Sequence, residues 1–174
     1  MTISLSNISV KTYLQLLPAA LNIMQKAKAH FEEEGTNLQE IVDMRLYEDM
    51  ATFSFQVFSI AHHSLGAINA LKEGEFGPPN MPSGLDFESL HKIIKDAETQ
   101  LLEVSCDDID KLLDGQVIFK MGDIRWPFTN EDFILSFSLP NFYFHLTTMY
   151  DMLRVKGLPL GKMDFVGQMR LNKS

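Results

Sequence analysis

Two stretches of the chain place polar side chains where the surrounding pattern is apolar. Gln56, Ser59, His62, His63 and Ser64 fall within Met50–Leu71, a run flanked by Asp49 and Lys72 that contains no Asp, Glu, Lys or Arg. Asn141, His145, Thr147, Thr148 and Asp151 fall in a second apolar run near the C-terminal end. Asn141, His145, Thr148 and Met152 are four, three and four residues apart, which puts them on one face of a helix. Ser59 and His63 are stacked in the same way. If both faces turn inward, His63 (or its neighbour His62), Asn141 and His145 meet between two core helices, with Ser59, Thr148, Tyr150 and Asp151 about them. Helical bundles house metal and ligand sites in this manner. The same spacing also fits two histidines and an asparagine hydrogen-bonded into a core, because buried polar groups persist when they are paired.

Other chemistries find no support. There is no Gly-rich phosphate loop, no His-Glu-x-x-His and no Gly-x-Ser-x-Gly. Cys106 lies beside Asp107 and Asp108, whose negative charges disfavour a reactive thiolate nucleophile. Arg45 and Asp49 have the i, i+4 spacing of an ordinary helical ion pair. Glu32 to Glu34 and Asp107 to Asp110 read as solvated faces. Met44, Met50, Met149 and Met152 read as core filler, and Phe142, Tyr143 and Phe144 as packing or subunit-interface residues.

The elements that must position these groups are four long helical stretches. The first is expected from Ser9 to Glu34, with Tyr13, Leu16, Leu17, Leu21 and Met24 at the helical period, a kink at Pro18 and a frayed glutamate-rich end. The second starts near Thr36 or Asn37, each with capping-box spacing, and runs to Glu73 with a break around Leu46 to Asp49 and a stop at Gly74. Glu73 to Gly84 is a loop, with three prolines and three glycines in twelve residues. The third runs from Asp86 to Val104 and is followed by a helical turn at Cys106 to Asp110. Val117-Ile118-Phe119 and Ile124-Arg125-Trp126 predict a small β-hairpin. The fourth is announced by Thr129 and Asp132, another capping box, and reaches Arg154 or Lys156 past a kink near Ser138 caused by Pro140. The expected fold is therefore all-α: a four-helix bundle in a single domain over residues 1–174, with a small β-hairpin before the last helix.

Composition sets the outer limits. The chain has 174 residues, enough to bury a core without help from a metal or disulfide. With 45% hydrophobic and 22% charged residues, it is not disordered or fibrous. Its formal charge of −8 repels phosphate backbones, so no nucleic-acid partner is expected. The uncharged run Met50–Leu71 is too polar for a membrane span, and Met1–Gln15 lacks the apolar core of a signal peptide. A single cysteine suits a reducing, cytoplasmic setting.

Several segments carry a resemblance. Phe128–Phe133, Leu139–Arg154 with its Leu-Pro-Asn-Phe-Tyr-Phe-His start, and Gly157–Lys162 resemble an uncharacterised branch of the DinB/YfiT-like superfamily, a group associated with metalloenzymes. Arg45, Asp49 and Met50 in the second helix and the hairpin before Trp126 fit the same pattern. The resemblance implies up-down-down-up connections, often a homodimer, and by analogy metal-dependent transfer chemistry on a small molecule involving a thiol cofactor. Metal-binding members have one histidine on the second helix and a His-x-x-x-His pair on the fourth, its last member nine residues before the Arg of a Leu-Arg pair. His145 stands nine before Arg154 and matches that last histidine; the first falls at Asn141, and His63 (or His62) is the partner from the second helix. A carboxamide is a weak ligand for zinc or nickel, so a divalent metal here should bind weakly. Two functions follow: a small-molecule-binding or enzymatic bundle with an incomplete metal triad, or a non-catalytic dimeric bundle acting through its surface without metal.

Overall fold

The computed structural model describes residues 3–172; Met1, Thr2, Lys173 and Ser174 of the expected 1–174 domain lie outside the described residues. The chain is mostly helical with one small sheet. A short helix α1 (Leu5–Ile8), which the periodicity does not announce, precedes α2 (Val10–Glu33). Ser4 caps α1, and the hydroxyl of Ser9 at its end donates to the Leu5 carbonyl at 2.6 Å. α2 remains one helix through Pro18 and buries Tyr13, Leu17, Ala20, Met24, Ala27 and Phe31 at steps of three and four, while Leu21 is only half-buried. Gly35, at φ +72°, turns the chain out of it.

The second stretch is broken where expected, and the break is long. α3 (Leu38–Asp43) is capped by Asn37, whose side chain accepts from the Gln39 backbone N–H at 3.0 Å. Met44 to Thr52 is non-helical, closed by an antiparallel bridge between Arg45 and Thr52. Arg45, Asp49 and Met50 therefore lie in a loop and not in a helix. Without helical geometry the i, i+4 spacing no longer aligns Arg45 with Asp49, and the expected ion pair does not form. The Arg45 guanidinium donates to the Met50 carbonyl instead. α4 (Phe53–Ala61), capped by Thr52, continues through a π-helical segment, His62–Gly66, into α5 (Ala67–Glu73). Gly74, at φ +76°, is the stop.

The Glu73–Gly84 segment corrects the sequence reading. It is not all loop: β1 (Glu75–Phe76) pairs in parallel with β2 (Gln116–Met121), which pairs antiparallel with β3 (Ile124–Thr129). The expected hairpin is thus longer and becomes a three-stranded sheet. An isolated two-stranded ribbon leaves an unpaired edge, and Glu75 and Phe76 cover it. Between β1 and β2 lie α6 (Phe87–Leu102), capped by Asp86, and α7 (Cys106–Asp110).

The last stretch begins as expected. Thr129 accepts from the Asp132 N–H at 3.1 Å and caps α8 (Asn130–Asp132); a second π segment, Phe133–Ser138, leads into α9 (Leu139–Val155). Pro140 has no N–H to give the preceding turn, and the wider π turn sits immediately before it. An unforeseen α10 (Lys162–Val166) folds back on α2: Lys26 pairs with Asp164 at 2.5 Å, and the Gln15 amide donates to the Val166 carbonyl at 3.1 Å. α4 packs against α9 and α6, and α2 against α6, around one buried cluster that runs from Leu5 to Leu160. No helix among the described residues is long and apolar enough to cross a membrane.

Candidate functional site

The two π segments meet. A π turn interrupts the regular i→i−4 ladder and re-aims the side chains and carbonyls beside it, which is why such turns concentrate at functional sites. Here the carbonyl of His63, in the first segment, accepts from the hydroxyl of Ser138, in the second, at 2.7 Å. Ser138 has one proton and gives it to that carbonyl. The Tyr13 hydroxyl, 2.8 Å away, therefore donates to Ser138. All three residues are buried. Burial, the largest effect, raises the Tyr13 pKa far above its ordinary value and keeps the phenol neutral.

This clamp brings His63 onto His145: their rings lie 5.7 Å apart, centre to centre, with planes 18° from parallel. They form the polar end of a cavity of about 200 Å³ between α4, α9 and the sheet. Asn141 and Ser59 also line it; its other walls are Phe55, Phe76, Phe119, Phe137, Met121 and the Gly77-Pro78-Pro79 segment. The rings pack at tilted and edge-on angles. Phe137 lies 5.8 Å from His63, and Phe55 lies 5.9 Å from His145.

Gln56, buried seven residues before His63, orients His145. Its Nε2 donates to the Ala51 carbonyl at 3.2 Å, which points Oε1 at His145 Nδ1, 2.8 Å away. Reversing the amide would set two oxygens against each other at Ala51. Nδ1 of His145 therefore carries the proton, and Nε2 keeps its lone pair. Burial, reinforced by the charge His62 can carry, lowers the His145 pKa to about 4. His63 is lowered to about 3, by burial first and then by repulsion from His62 and His145. Both imidazoles are neutral at pH 7.

Not every expected group reaches the cavity. His62 is one residue, about 100°, round the helix from His63. Its Nε2 donates to the Gly77 carbonyl at 2.8 Å, and its ring stacks on Phe76 at 4.4 Å. It supports the wall without lining it. Thr148 is buried but spends its hydroxyl on the Phe144 carbonyl at 2.7 Å. Tyr150 is half-buried against Phe165 of α10, and Asp151 is exposed. Five and six residues beyond His145, they sit about 140° and about 240° round the helix, off the inward face.

Two buried atoms of residues that line the cavity stay without a hydrogen-bond partner among the described residues: Ser59 Oγ and His63 Nδ1. The family resemblance implies a metal here, and the donor set decides whether one fits. Two neutral imidazoles are present, but no third histidine, cysteine or carboxylate joins them, and no group of three such side chains among the described residues could hold an ion. Asn141 commits its Nδ2 to the Phe137 carbonyl at 2.8 Å and can offer only a carboxamide oxygen. The set does not fit a three-ligand zinc or nickel centre.

The fold is a known one: the structure superposes on a DinB family member protein from Shewanella denitrificans with a TM-score of 0.82, covering 98% of this chain and 96% of that one at 22% identity. The chain belongs to the family described as a domain of unknown function, DUF1993, whose model matches residues 5–166. No curated protein matches it.

Proposed function

We propose that this chain is a single-domain four-helix bundle with up-down-down-up connections that binds a small organic molecule in the cavity between α4, α9 and the sheet. The helical stretches 10–33, 53–73, 87–102 and 130–155 supply the bundle. His63 and His145 serve as neutral hydrogen-bonding groups, with Asn141 and Ser59 beside them.

One observation carries the reading. Ser59, His63, Asn141 and His145 bring polar side chains to one end of an otherwise apolar cavity, and Nε2 of His145 is left as an acceptor. Polar groups set among aromatic walls favour a ligand that is mostly apolar and carries a complementary polar group at one end. Extraction of the purified protein followed by mass spectrometry tests this. A stoichiometric organic ligand that disappears from Phe137→Trp, which fills the cavity, supports the reading; a thermal-shift screen of small molecules with no response from the wild type would count against it.

A second reading rests on a different surface. Leu135, Leu139 and Tyr143 form a stripe along the last helical stretch, with Leu135 and Tyr143 45% and 40% exposed, beside a groove also lined by Ile3 and Ile8. Such a stripe suits a two-fold homodimer, since an isologous contact buries the same patch twice.

A further inference from the structure

We propose that the cavity's occupant is a small, neutral, planar aromatic molecule carrying one O–H or N–H donor, of the phenol or indole class, and that the donor is delivered to His145 Nε2. The inference rests on the cavity being a small-molecule site and goes on to name the chemistry of its ligand.

Three independent features converge. The first is the wall. Phe55, Phe76, Phe119 and Phe137 line it with aromatic rings, the surfaces that offset and edge-to-face contacts with another ring require. The second is size. Benzene enters a dry apolar cavity of about 150 Å³. This cavity, at about 200 Å³, takes one ring with a substituent, or a small bicycle.

The third is the polarity of the end formed by His63 and His145. Gln56 forces the proton of His145 onto Nδ1 and leaves Nε2 as an acceptor. Asn141, with its amide nitrogen committed to Phe137, offers an oxygen. His145 Nε2 and the Asn141 oxygen are acceptors beside the donors of Ser59 and His63, so a ligand that pairs with His145 must bring the proton. No Lys, Arg, Asp or Glu among the described residues lines the cavity. A carboxylate, phosphate or ammonium would lose its hydration with no counter-charge in return, so charged ligands are rejected.

Phenol and toluene are near-isosteres that differ in the donor alone, and benzoate adds a charge to the same ring. Titration of each into the wild-type protein, followed by the histidine and phenylalanine resonances up to millimolar concentration, tests the proposal. Phenol should bind about tenfold more tightly than toluene, the net worth of one buried hydrogen bond, and benzoate should not bind. In Gln56→Leu, which releases the His145 tautomer, the phenol preference should disappear while toluene binding stays. Long-range proton–nitrogen correlation spectra of the wild type read the tautomer without any substitution and should show Nδ1–H at His145. Equal binding of phenol and toluene, preferred binding of benzoate, or an Nε2–H tautomer would overturn the donor inference and leave the small-molecule site standing. Absence of binding by all three rings would overturn the site itself.

Discussion

Gln56 decides which nitrogen of His145 is free, and the burial of that imidazole's pairing with His63 has a consequence for acid stability. In the unfolded chain both histidines titrate near 6.5; folded, His145 holds out until about pH 4 and His63 until about pH 3. Between those limits the unfolded state binds protons that the native state refuses, so stability falls as the pH drops below 6.5 and is unaffected above it. The urea midpoint should hold from about pH 7.5 to about pH 6.5 and decline from there to about pH 5, and His63→Gln with His145→Gln should flatten that decline. A wild-type midpoint that does not move would contradict the burial argument. The metal question also belongs to single residues. Asn141→His supplies a third imidazole four residues before His145 and should raise zinc or nickel affinity by roughly tenfold or more in calorimetric titration. Wild-type thermal stability should not change on chelation, because its core folds without an ion. Helical spacing made the pairs Asn141–His145 and Ser59–His63 legible, since partners on one helix leave a periodic mark. Gln56 stood among the buried polar residues, but its link to His145 crosses between helices and leaves no such mark. The aromatic wall from Phe76 and Phe119 was equally hidden, because it depends on a sheet that pairs Glu75 and Phe76 with the distant Ile118 and Phe119.

Among the elements, the caps were the most readable features. Asn37, Asp86 and Thr129 each begin a helix where the residue type says one should begin, by satisfying free N–H groups. The two π segments were invisible for a plain reason: a π turn differs from an α turn by one residue, and its sequence keeps the same apolar character. Their contact nevertheless adds to the direct packing of α4 on α9 at the site. Ser138→Ala removes the hydroxyl that serves both the His63 carbonyl and the Tyr13 phenol, and leaves two buried polar groups unpaired. It should cost about 1–3 kcal/mol in chemical denaturation. Tyr13→Phe leaves the Ser138–His63 bond intact and should cost about 1 kcal/mol. If the two variants prove equally stable, the hydroxyl chain is not what holds the segments together.

For the whole molecule, length and composition were enough to expect a sizeable core, and the hydrophobic period supplied the helices that surround it. The charge of −8 leaves self-association to apolar patches rather than to charge attraction. If the Leu135–Tyr143 stripe is an interface, light scattering at tens of micromolar should give twice the chain mass, and Tyr143→Lys should return it to the monomer. A monomer mass for the unmodified protein would dismiss that surface. α10 escaped the sequence reading because it has no buried residue to set up a helical period. Its clasp on α2 still has a temporal meaning. Lys26 and Asp164 stand far apart in the chain, so one flank of α2 stays bare from the time α2 can form until α10 has been made and folds back on it. Throughout that interval the flank is open to neighbouring chains, and the closing of α10 over it is the step by which the newly made chain ceases to offer it to them.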